Sequence, residues 1–173
     1  LPQTVATTSA GDVPLPICYF DGSHYLALFR VAPAQVAEKI GDLPLQPARV
    51  GRKGIAVLSF FEYRDTSLGP YHEVGLSVLV SPAQTPVQLN SLNDLTIPTE
   101  SSRVGSYVLD LPVSTPAAKV AGCEIWGYPK FVTELPIAWD GKAFDGQVLD
   151  PDGGLICPMA AERGIVLPDA LPG

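Results

Sequence analysis

Apolar residues along this chain come in short runs of strand-forming side chains, separated by turn residues. Residues 24–31, His-Tyr-Leu-Ala-Leu-Phe-Arg-Val, predict one strand and residues 55–63 a second, more buried one. Residues 65–70 read as a turn. Residues 71–80 predict a third strand, and here the order of side chains separates two faces. Tyr71, Glu73, Gly75, Ser77 and Leu79 share one face; His72, Val74, Leu76, Val78 and Val80 share the other. The second face is mostly apolar, so Glu73 points away from the aliphatic side. Further strands are predicted over 104–113, ended by Pro112, and over 131–139, 143–149 and 154–158. Two short helices interrupt them. Pro33 opens one over 34–40, and Thr115 caps another over 115–122 with Pro116 in its first turn.

Proline and glycine explain why every segment is short. Eighteen Pro and sixteen Gly are spread along 173 residues, which speaks against long helices. Several short strands with few helices predict a mainly β (α+β) fold, an antiparallel β-barrel or curled sheet. Residues 1–16, small and polar with Pro14 and Pro16, read as a flexible N-terminal arm, and 17–173 as a single domain. Residues 41–54, which hold Arg49, Arg52 and Lys53, read as a solvated loop.

Composition narrows the function. With 46% apolar and 17% charged residues, the chain has material for a core. A net charge of −7 opposes binding to phosphate backbones, so no nucleic-acid partner is expected. No run of 18 apolar residues occurs, so no membrane span is expected. The chain opens on Leu1, which is read as a trimmed or processed start. Cys18, Cys123 and Cys157 form no pair or metal spacing and read as buried free thiols; their odd number points to a reducing, cytoplasmic setting. His24 and His72 show no metal spacing, and Asp150, Asp152, Gly153 and Gly154 read as a turn rather than a calcium loop. No metal or cofactor is expected.

Five lysines remain to be compared. Lys39, Lys53, Lys119 and Lys142 sit in polar or loop-like surroundings, whereas Lys130 follows Ile125, Trp126, Tyr128 and Pro129 and precedes Phe131 and Val132. Such a lysine either snorkels its ammonium to water or lies in an apolar pocket. A pocket disfavours the charged amine, and a neutral amine can attack a ketone to form a Schiff base.

The run Glu124-Ile125-Trp126-Gly127-Tyr128-Pro129-Lys130 resembles the signature of the acetoacetate decarboxylase superfamily, in which a glutamate lies six residues before the Schiff-base lysine. The segment from Asp65 to Glu73 is similar to the family's turn and Tyr-x-Glu strand, and the stretch from Tyr25 to Ile40, with Phe29-Arg30, resembles its early strand and helix. The matches run in family order over about residues 19–150. The resemblance implies Lys130 as nucleophile and Glu73 as a cavity carboxylate, with Tyr128, Trp126, Phe131, Arg30 and Tyr71 around the substrate. It implies a cofactor-independent lyase for a small keto acid, within a homo-oligomer. Alternatives are an aldolase or dehydratase using the same lysine, or a non-catalytic barrel that binds a small hydrophobic ligand.

Several places depart from the family pattern. Phe131 stands where decarboxylases often carry a second lysine. Residues 21–24 lack the substrate-binding arginine. An acidic partner before the turn would fall near Ser59, with Glu62 close by. The chain also stops short of the usual family length, so barrel strands from the C-terminal part are expected to be missing or replaced.

Overall fold

The computed structural model describes residues 3–89 and 103–162. Its framework is two long neighbouring strands, β6 (Lys53–Thr66) and β7 (Tyr71–Pro82), joined by the turn expected at 65–70. They pair antiparallel with Phe61 opposite Glu73 and Ser59 opposite Gly75. β3 (Tyr19–Val31) covers the outer side of β6 along nearly its whole length, and β9 (Gly105–Asp110) pairs with the end of β7. Three short strands complete a seven-stranded sheet: β4 (Leu45–Pro47), β5 (Arg49–Val50) and β8 (Gln88–Leu89), of which β5 and β8 run parallel.

Alternation along β6 and β7 gives this sheet two unlike faces. On one face Phe60 and Val74 meet a small antiparallel sheet made of β10 (Ile137–Asp140), β11 (Ala143–Leu149) and β12 (Leu155–Glu162). Phe144 of β11 is the centre of that contact. It stacks on Tyr25 at 4.9 Å, meets Phe60 edge-on at 5.4 Å and lies 4.7 Å from Trp139. Further along, Val78 and Val80 pack against Val36 and Ile40 of α1 (Pro33–Ile40). The opposite face carries Tyr71, Glu73, Gly75 and Ser77 and looks toward α2 (Pro116–Trp126).

Several expectations are corrected. The described residues form three separate sheets with no closed barrel. Residues 4–15, read as part of a flexible arm, form a hairpin of β1 (Thr4–Thr8) and β2 (Gly11–Leu15). The run Thr4-Val5-Ala6-Thr7-Thr8, β-branched at all positions but Ala6, suits a strand, and Gly11 takes the positive φ of 111° that the tight turn needs. The loop at 41–54 contains β4 and β5 and buries Ala48 completely; strands of two or three residues are too short to show a period. The strand expected over 131–139 shrinks to an isolated bridge at Val132 and then β10, while Pro136 stands just before β10. The cysteines are free but only partly buried. Residues 90–102 and 163–173 of the expected domain lie outside the described residues. No described helix is long and apolar enough to cross a membrane.

Candidate active site

The end of α2 places Lys130. Thr115 caps the helix start by accepting a hydrogen bond from the Ala118 amide, with Pro116 in the first turn. At the other end Gly127 adopts φ 69°, the left-handed conformation glycine reaches without penalty. The amides of Gly127 and Tyr128 then donate to the carbonyls of Cys123 and Gly122, and Pro129 prevents further helix. The chain therefore doubles back, and Lys130 crosses the helix at Gly122. A Cβ on residue 122 would stand 2.4 Å from both Cδ and Cε of Lys130. Sequence reasoning missed Gly122, because no spacing rule links it to a lysine eight residues later.

Strand pairing places the carboxylate. Glu73 faces the cavity from β7, and its backbone bridges Val113. Val113 in turn donates to the Phe131 carbonyl and accepts from the Thr133 amide. One short ladder thus ties the Glu73 backbone to the segment just after Lys130. The side chains meet with Nζ of Lys130 2.6 Å from Oε2 of Glu73, at only 8% and 12% exposure. At that burial the pair is held by mutual charge neutralisation, since either charge alone would be poorly solvated.

The surrounding cavity has a volume of about 320 Å³. Apolar wall comes from Phe61, Leu111, Val108 and Ala118, and hydroxyls come from Ser59, Ser77, Ser106, Tyr19 and Tyr71. The Tyr71 ring lies 6.0 Å from Nζ, and its hydroxyl is 3.1 Å from that of Tyr19. Tyr63 packs between them, 4.8 Å from Tyr71 and 4.7 Å from Tyr19. Burial, reinforced by the negative charge of Glu73, raises all three phenols above their ordinary pKa. They stay protonated at neutral pH; Tyr19 and Tyr71 line the cavity and, bonded to each other, keep one O–H between them for a bound oxygen.

The sequence profile of the acetoacetate decarboxylase family matches residues 1–170. The chain belongs to that family. Solved structures that share its fold include two of acetoacetate decarboxylases. One, from structural studies of acetoacetate decarboxylase, superposes with a TM-score of 0.61 at 18% identity, over 84% of this chain and 50% of the other. The acetoacetate decarboxylase of Legionella pneumophila superposes with a TM-score of 0.58 at 13% identity, over 92% of this chain and 69% of that one. The chain therefore spans about half the length of the first. No curated protein sequence matches it.

Within this acetoacetate decarboxylase-like fold, Lys130, Glu73, Tyr71, Tyr128 and Trp126 line one cavity, the last two at its half-exposed rim. Two expected pocket residues do not. Arg30 is exposed on β3, six residues beyond His24, which pairs with Phe61 at the level of Glu73. That offset is roughly 20 Å along a strand. Phe131 is not among the residues lining the cavity, and its carbonyl accepts from the Val113 amide. Glu62 lies on the other face of β6 and binds Arg64, leaving Ser59 in the cavity where an acidic partner was sought. Glu124, the first residue of the lysine motif, is engaged elsewhere: its carboxylate accepts from the amide and hydroxyl of Ser9 at the hairpin tip.

Proposed function

We propose that Lys130 is a Schiff-base nucleophile and that this chain is a cofactor-independent lyase for a small keto acid. The observation that carries the reading is the buried Lys130–Glu73 pair at the wall of a cavity. Oε2 of Glu73 is within reach to take a proton from Nζ, which leaves the free amine to attack a ketone carbon. Glu73 then returns the proton to the carbinolamine hydroxyl, and water departs as the iminium forms. The iminium is the electron sink: cleavage of the bond to a β-carboxylate releases carbon dioxide and leaves an enamine. Protonation at carbon and hydrolysis free the product and restore Lys130. The Tyr19–Tyr71 pair, which keeps one free O–H, is suited to hold the substrate oxygen meanwhile.

One observation favours the aldolase or dehydratase reading of the same lysine. Among the described residues that line the cavity, Lys130 is the sole cation, and it is consumed as the imine. A substrate carboxylate would then find hydroxyls but no second positive charge. Both readings share the first test. Borohydride reduction with candidate keto acids should leave the reduced imine adduct of substrate or product on the Lys130 peptide, and Lys130→Ala should abolish that adduct. Labelling spread over Lys39, Lys53, Lys119 and Lys142 as well would refute the assignment. The mass of the adduct trapped during turnover, short of carbon dioxide or short of a further water, separates the two chemistries.

A further inference from the structure

Ser77 lies on the cavity face of β7, four residues from Glu73. It is 7% exposed, and its Oγ accepts a hydrogen bond of 2.7 Å from Ser106 Oγ on β9. Two hydroxyls joined in this way use one proton between them. Whichever serine donates, the other keeps an O–H, and neither has another hydrogen bond among the described residues. Buried hydroxyls generally find partners. Here the space in front of the pair is the cavity itself, lined at that end by Ser77, Ser106 and Val108.

The middle of the cavity differs. Ser59, opposite Gly75, already donates to the Gly75 carbonyl at 3.2 Å, and the walls there are Gly75 and Leu111. The space is thus polar at Lys130 and Glu73, mostly apolar over Gly75, and polar again at Ser77 and Ser106. Four residues of strand separate Glu73 from Ser77 by on the order of 13 Å between Cα atoms. A four-carbon keto acid held as an imine at Lys130 spans too little to reach the serine pair. No charged described residue lines the cavity at the serine end.

We propose that Ser77 and Ser106 form a second polar subsite and that the substrate is an elongated carbonyl compound. Its carbonyl carbon meets Lys130, an apolar chain crosses Gly75 and Leu111, and an uncharged distal oxygen sits on the serine pair. The orientation rests on the Schiff-base role of Lys130; the subsite itself does not. The probes are 8-hydroxy-2-octanone, 2-octanone and 2-butanone. Borohydride capture on the Lys130 peptide reports the imine, and isothermal titration without borohydride reports binding. The hydroxyketone should be captured, and should bind, at roughly tenfold lower concentration than 2-octanone, the usual worth of one good hydrogen bond. Ser77→Ala should bring the two close to equal. Ser106→Ala, on the exposed partner, gives the same readout should the buried variant fold poorly. Equal capture and binding of the two ketones by the unmodified protein overturns the subsite, as does a preference that survives both substitutions. A hydroxyketone preference in titration that both substitutions remove, with no imine on Lys130, supports the subsite and overturns the nucleophile.

Discussion

At the scale of single residues, the tyrosines around Glu73 respond to pH in a direction the structure sets. Tyr19, Tyr63 and Tyr71 have pKa values raised above the ordinary phenol value of 10.0, burial being the largest cause. A folded-state pKa above the unfolded one means the native state holds its proton more tightly. That part of the stability is fully present below about pH 10 and is lost as pH rises further. The melting temperature should therefore hold steady to about pH 9.5 and fall above it. Part of the tyrosinate absorbance should appear only as the protein unfolds, and Tyr71→Phe should flatten the decline. Tyrosines that all ionise near pH 10 in a still-folded chain would contradict this. Alternation along 71–80 already separated Tyr71 and Glu73 from the aliphatic face. Tyr19 and Tyr63 were not legible as their neighbours, because they come from β3 and β6 and meet only through strand pairing.

At the scale of elements, α2 and the turn after it act as a hook for Lys130. The helix read from sequence stopped at Gly122, since glycine after a helical run is a stop signal. The helix instead continues to Trp126 and is closed by Gly127. Gly122 is glycine because the lysine stem lies against it. Gly122→Ala tests this. Alanine favours a helix interior by up to about 1 kcal/mol over glycine, which offsets only part of the roughly 3–5 kcal/mol that leaving one partner of a buried ion pair uncompensated can cost. Its new Cβ would occupy the place of Cδ and Cε, so Lys130 must leave Glu73. Borohydride capture should fall at least tenfold, and the urea midpoint should drop as Glu73 loses its partner. Undiminished capture would show that the hook does not position the amine.

Over the whole molecule, the sheet separates stability from chemistry. Its apolar face is covered by β10–β12 and α1, and its cavity face is left for Glu73 and the hydroxyls. Phe144, 2% exposed, joins the two sheets. Phe144→Ala should cost about 3–5 kcal/mol, a large part of the roughly 5–15 kcal/mol that holds a domain folded. Urea denaturation should show that loss. A change below about 1 kcal/mol would mean the small sheet adds little to the fold.

Local signals were enough for the strands β3, β6, β7 and β11, for the turn at 65–70, and for the start of both helices. Each of these depends on neighbours in sequence: β-forming runs, proline at a helix start, a threonine cap. They were also enough to set Lys130 and Glu73 apart, one by its apolar neighbours and family motif, the other by its face. Tertiary structure alone decided the rest. The 2.6 Å approach of Lys130 to Glu73 spans 57 positions and runs through the bridges at Val113. Arg30 was expected at the pocket from its place in the family-like segment Tyr25 to Ile40, yet strand register carries it far along β3. The hairpin at 4–15 reaches Glu124 across 115 positions, and the Ser77–Ser106 pair forms where β9 joins β7. Period and propensity act over a few residues, whereas register and long-range pairing are set by which faces the whole chain can bury together.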